Sequence, residues 1–263
     1  MQHTKKLGAD EINHQKSRKT GFLGWLETGA RRLQTLAFVV ALAPIFILYI
    51  LCLGLSAAPG IGLLLALHAQ FAESSIGIQA LVYGLGLGVL FVSFIVLLLI
   101  VVPIFNLPFK PFVRAYRGPW FSFESLPWLY HNSLMYLVRY TVLDFATPTP
   151  LATGFLKAMG MKIGKGSLVN TSNISDPCLI EIGDYVTVGG SCYLMAHYGM
   201  KGFLIIEKLV LKRKCNIGLH CYLMGGVEVG ELAQILPNTV VLPKTKVPAG
   251  AKYDANSPMV TSE

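Results

Sequence analysis

Charge is scarce in this chain of 263 residues: 14% are Asp, Glu, Lys or Arg, against 53% that are hydrophobic. From Leu33 to Phe109 there is no Lys or Arg, and the single acid is Glu73. That shortage excludes a protein that meets water on all sides and predicts membrane segments. Cysteine is sparse as well. Cys52, Cys178, Cys192, Cys215 and Cys221 contain no C-x-x-C pair, and Cys215, His220 and Cys221 lack the spacing of a structural zinc site. No pair of histidines stands five apart, as a metal-dependent carbonic anhydrase on a repeat fold would require. A Walker motif, a dinucleotide fingerprint and a G-x-S-x-G elbow are missing too. No metal is expected.

What charge there is has a pattern. The formal net charge of +8 would suit nucleic acid, but Lys5, Lys6, Lys16, Arg18, Lys19, Arg31 and Arg32 precede the apolar region, and Lys110, Arg114 and Arg117 follow it. Basic residues that bracket apolar runs mark membrane flanks. With no basic stripe interleaved with aromatics, nucleic-acid binding is not expected.

The repetitive part begins late. Counting in sixes from Ile205 lands on Leu211, Ile217, Leu223, Val229, Ile235, Val241 and Val247, and the fifth places hold Leu209, Cys215, Cys221, Val227, Ala233, Thr239, Thr245 and Ala251. An aliphatic first place and a small or apolar fifth place at a fixed period predict a parallel β-helix, in which neighbouring coils bury what one coil leaves wet. Ile182, Val188 and Leu194 continue the lattice upstream, and Ile163 with Val169 opens it. The step from Leu194 to Ile205 is eleven residues instead of twelve, so Tyr198 to Leu204 should leave the helix as a loop. Cys192, Cys215 and Cys221 fall at fifth places and are expected in the core.

Taken in order, residues 1–32 form a cytoplasmic segment, polar to about residue 20. Phe22, Leu23, Trp25 and Leu26 then give a short apolar face, suited either to the headgroup region or to a juxtamembrane turn. Residues 33–109 form a transmembrane hairpin with spans at about 35–57 and 76–102, each longer than the ~20 residues needed to cross a bilayer. Ile61 to Leu67 reads as part of the connection or as a re-entrant piece. Pro44 is a kink candidate, and Gly84, Gly86 and Gly88 are expected to allow close packing. Both termini and the β-helix fall on the cytoplasmic side by the positive-inside rule, which gives a multi-pass protein of the inner (cytoplasmic) membrane. The 32-residue leader and second span argue against a cleaved signal peptide. Residues 110–160 are an aromatic, amphipathic linker with Trp120, Trp128 and Tyr130; residues 161–252 are the β-helix, and 253–263 a tail.

The hexads from Ile163 to Lys252 resemble left-handed β-helix (hexapeptide-repeat) acyltransferases. More narrowly, the two spans, the aromatic linker and the run Phe155-Leu156-Lys157-Ala158-Met159-Gly160-Met161-Lys162-Ile163-Gly164 before Ile182-Gly183-Asp184 resemble the membrane-bound C-terminal modules of poly-lysine-synthetase-like peptide synthetases. This resemblance spans residues 35–252. It implies a homotrimer with clefts between subunits, and a general-base histidine where a coil ends before a loop, which matches His197. It also implies an acyl donor carried as a thioester on coenzyme A or on the phosphopantetheine of a carrier protein, and an adenylating or carrier partner. Such modules place an acid soon after the histidine, whereas here the first carboxylate is Glu207.

The residues themselves lead to His197 as well, because an imidazole at a loop leaving a rigid coil is placed to accept a proton. His220 shares its place in the hexad and is expected to stack on it, ~4.8 Å away. Asp184 and Glu181 are alternative partners for the ring. Asn170, Ser172 and Asn173 either line the cleft or cap irregular backbone. Lys201, Lys208, Lys212, Arg213 and Lys214 either attract donor phosphates or form a solvated face. Together these features predict a membrane-anchored α + β protein that transfers an acyl or aminoacyl group to an amine or hydroxyl, with sugar or lipid O-acetylation and a non-catalytic scaffold as alternatives. The amide-forming version would serve peptide or amino-acid product assembly.

Overall fold

In the computed structural model, residues 16–17, 19–254 and 256–257 are described. Most of the expected N-terminal segment before Thr20, with Lys5, Lys6 and Arg18, lies outside them, as does most of the tail after Asp254.

Three helices come first: α1 (Gly21–Arg32), α2 (Gln34–Phe71) and α3 (Ile76–Asn106). α2 and α3 are apolar on every side, so no stripe distinguishes a core face, and both are long and apolar enough to cross a membrane. Their 38 and 31 residues correspond to about 57 and 46 Å at 1.5 Å per residue. They run antiparallel with glycines at the crossing. A Cβ at Gly60 would meet the Leu90 backbone at 2.9 Å, and one at Gly86 would meet Leu64 and Leu67 at 2.7 and 2.9 Å. Gly84 and Gly88 face away, with nothing within 4 Å, so close approach uses Gly60 and Gly86 instead of the G-x-x-x-G pair. Ile61 to Leu67, expected in the connection or as a re-entrant piece, continues α2 and packs on α3 through Leu64 and Leu67. The connection is the short turn after Phe71, where the Gln79 side chain donates to the carbonyls of Ala72 and Ser74 at 2.7 and 2.9 Å.

The linker folds into a strand (Tyr116–Pro119) and helices α4 (Leu126–Arg139), α5 (Leu143–Ala146) and α6 (Pro150–Ala158). α4 buries Trp128, His131, Leu134, Met135 and Val138, spacings of three and four that keep one face inward. It is not a surface helix. Tyr49 of α2 donates to the Ser133 carbonyl at 2.8 Å, and the His131 ring meets Asn106 of α3 at 3.0 Å. Arg139 donates to Asn173 at 2.8 Å and lies over the rings of Tyr136, Tyr140 and Tyr193. One core therefore runs from Cys52, Leu98 and Val102 through Leu134 and Met135 to Ile174 and Leu194.

From Lys162 to Tyr253 the chain winds into a parallel β-helix of three sheets, of five, five and four strands. Ile163, Ile182, Leu211, Val229 and Val247 stack on one face, and Val169, Val188, Ile217, Ile235 and Tyr253 on the next. Ile174, Leu194, Leu223 and Val241 stack on the third. Cys192, Cys215 and Cys221 are buried, as their fifth places require. Corner residues Tyr185, Ser191, Lys214, His220, Leu232, Asn238 and Lys244 take the left-handed conformation, which tightens each bend.

The frame is displaced at one point. Ile205, counted as a repeat position, lies in an antiparallel hairpin of His197–Met200 and Phe203–Ile206, which pairs with Tyr116–Pro119 of the linker. Coil residues resume at Leu211, seventeen after Leu194. The expected loop is thus a two-stranded excursion, and its alternation of two divides evenly into six, which hid the offset.

Because Leu223 is fully buried and Leu168 is 48% exposed, Leu223→Ala should cost about 2–5 kcal/mol and Leu168→Ala under about 0.5 kcal/mol. Chemical denaturation of the two variants checks this.

Candidate active site

Two coils depart from the six-residue step at the same corner. Eight residues separate Ile174 from Ile182, and seventeen separate Leu194 from Leu211; both steps lead from the third face to the first. The first excursion carries Asp176, and the second starts at His197. Excursions at one corner of neighbouring coils must lie against each other, and these two side chains do.

His197 Nδ1 lies 2.6 Å from Asp176 Oδ2. A carboxylate oxygen accepts, so Nδ1 carries the proton, and in the neutral ring Nε2 is the acceptor. Nε2 has no hydrogen bond among the described residues, and 17% of the side chain is exposed. Asp176 is completely buried and takes three donors: the indole N–H of Trp128 at 2.6 Å on Oδ1, and the Ala196 N–H at 3.1 Å with the imidazole on Oδ2. It sits at φ 59° just before Pro177, a conformation that short polar side chains tolerate better than most. A carboxylate removed from water needs such donors.

Aromatic rings form the wall. Trp128 meets the His197 ring edge to face at 5.0 Å, and Trp120 meets Trp128 at 6.3 Å. Trp120 also fills the space beside Gly199, where a Cβ would come within 3.1 Å of it. Behind Asp176, burial holds the His131 imidazole down to about 4 and pushes the Cys178 thiol up to about 12, so both are neutral at pH 7.

The other expected residues lie elsewhere. His220 is exposed at the corner between the second and third faces, where its N–H donates to the Gly190 carbonyl. It does not stack on His197, because eighteen residues, not one hexad, bring a coil back to the same face. Glu181 faces out on the first sheet and binds Lys162 and Lys208, which hold its carboxyl below the usual range, the Lys208 hydrogen bond first. Asp184 caps a turn by accepting from the Lys165 N–H at 2.8 Å. Asn173 is engaged by Arg139, Ser172 by Asp144, and Asn170 lies exposed at the corner near Gly190. Lys201 occupies the hairpin tip with Gly202, both at positive φ, at the far end from His197. Of the basic cluster, Lys208, Lys212 and Arg213 are paired with Glu181, Glu228 and Glu231, as a solvated face would be. Asp176, Trp128 and Trp120 were not among the expected residues, although the eight-residue step between Ile174 and Ile182 was a visible signal.

No protein-family model and no curated protein matches this chain. Among solved structures it is similar to a hexapeptide-repeat acetyltransferase from Vibrio cholerae, at 16% identity and a TM-score of 0.38, over 48% of this chain and 85% of that one. It is similar to a maltose O-acetyltransferase from Clostridium difficile at 14% and 0.35, over 53% and 91%. A serine acetyltransferase from Neisseria gonorrhoeae matches at 17% and 0.30, over 49% of this chain and only about half, 53%, of its own length. At such values neither an activity nor a family follows for this chain.

Asp176→Ala would leave the Trp128 and Ala196 donors buried without a partner and should lower stability by about 1–3 kcal/mol. His197→Ala strands only the remaining acceptor capacity of Asp176 and should cost less. Unfolding midpoints of the two variants decide.

Proposed function

We propose that this protein is a membrane-anchored acyltransferase whose base is His197, facing the cytoplasm. The observation that carries the reading is the pair itself: a buried carboxylate engages Nδ1 of a ring that is 17% exposed, which leaves Nε2 as the nitrogen free to take a proton. That is the arrangement a general base needs.

In the proposed reaction an amine or hydroxyl attacks the carbonyl carbon of a thioester, and Nε2 takes the proton the nucleophile loses. The tetrahedral intermediate then collapses, the C–S bond breaks, and the imidazolium returns the proton to the departing thiolate. Asp176 stays ionised throughout and stabilises the transient imidazolium. The donor is proposed to be coenzyme A or a carrier-bound phosphopantetheine thioester, with an adenylating or carrier protein as its supplier. Amide formation in peptide or amino-acid assembly is the preferred version, and transfer to a sugar or lipid hydroxyl the second. The hexads support both equally, and the narrower resemblance of the two spans, the aromatic linker and the run from Phe155 to Gly164 favours amide formation.

Membrane insertion rests on α2 and α3, whose apolar side chains Phe46, Ile50, Leu55, Leu81, Leu85 and Val92 stand exposed, and on the basic residues that bracket them. A homotrimer is proposed on the repeat resemblance, with the exposed Tyr222, Val240 and Leu242 of the third face as its contact surface.

Replacing His197 by Ala should lower transfer from an acyl thioester by about 10²–10⁴-fold while insertion and assembly persist. Undiminished product would favour the scaffold alternative. In fractionated cells the chain should resist alkaline extraction, dissolve in mild detergent and cross-link to three copies. Release by alkali would defeat the membrane assignment, and cross-linking at other stoichiometries the trimer.

A further inference from the structure

We propose that Trp128, which belongs to the linker and not to the β-helix, is the positioning residue of this site: its indole fixes the carboxylate that fixes the base. The inference rests on the reading of His197 as the base. Asp176 Oδ1 has one hydrogen-bond partner among the described residues, the Trp128 N–H at 2.6 Å. The same ring lies against the imidazole at 5.0 Å. One buried side chain, 7% exposed, therefore sets both members of the pair. Without it, Oδ1 is an unpaired oxygen in a dry site, and only contacts to Oδ2 remain to hold the plane of the carboxylate against Nδ1.

Trp128 is in turn held from the hairpin side. His131, one turn along α4, is bound to Asn106 of α3, and Ser133 to Tyr49 of α2. The indole consequently reaches Asp176 only when α4 is seated between the hairpin and the first coils. The neighbouring titratable groups do not compete for this task. His131 and Cys178 are neutral, and Tyr198, raised by burial first, follows His197 on the β-hairpin strand. A histidine–carboxylate pair built from the coils alone would keep its contact with the Ala196 N–H but lose its second support.

The test uses the full chain in detergent with ¹⁵N-labelled histidine and tryptophan. Above the titration of the ring, His197 should show a single Nδ1–H tautomer, assigned by its loss in His197→Gln. In Trp128→Phe, which keeps the ring and removes the donor, an Nε2–H population should appear, and transfer should fall about ten- to a hundredfold, the value of one charge-assisted hydrogen bond, with acceptor KM unchanged. Retention of the single tautomer together with wild-type transfer would overturn the proposal. Should Trp128→Phe fail to fold, the wild-type indole decides. Its N–H resonance should lie downfield, move as His197 is titrated and return upfield in Asp176→Asn; an indole signal indifferent to both would overturn it. If His197→Ala keeps full transfer while the tautomer and indole responses are as expected, the assignment of the base fails and the positioning arrangement stands.

Discussion

Everything in the site depends on supplying donors to a carboxyl group where water does not reach. A fully buried anion is tolerated only when donors replace its hydration, and Asp176 collects them from three sources: the backbone of its own β-helix, the imidazole, and the linker indole. That requirement explains features that otherwise look unrelated. It explains why a tryptophan stands on the inward face of α4, and why that helix lies between the apolar hairpin and the first coils when the aromatic content of the linker suggests a bilayer surface. Residues that bind one another across these elements tie the hairpin, α4 and the first coils together.

The β-helix was legible because its signal is periodic and redundant. Ile182, Val188 and Leu194, and then Leu211 through Val247, repeat one choice of side chain at one interval, and each hit reinforces the frame. Two apolar helices were legible for a similar reason, since uniform hydrophobicity survives any error in phase. Their boundaries were not. The first span was expected to end at about residue 57, yet the helix runs on through Pro59 and Gly60, because proline removes one hydrogen bond and the apolar surroundings leave the backbone no better partner.

The site was half legible. His197 stood out by its place before an irregular step. Its partner did not, because a periodic count suggests neighbours within the lattice, and both Glu181 and His220 were drawn from it. Position within a hexad says nothing about which face a residue occupies; that takes the full eighteen-residue coil. Asp176 and Trp128 lie 48 residues apart, and Trp128 is brought in by packing of α4, which a repeat pattern cannot report. The glycines show the same limit. Gly84 and Gly88 have the familiar spacing, but which side of α3 meets α2 is set by Leu64, Leu67 and Leu90.

The corner between the third and first faces absorbs two residues in one coil and eleven in the next, while the rungs above and below stay in register. A stack of interchangeable coils therefore separates durability from invention. Evolution can lengthen, shorten or graft an excursion at that edge without renegotiating the interior, so descendants of this architecture should diverge first in the segment after His197, long before their aliphatic columns drift.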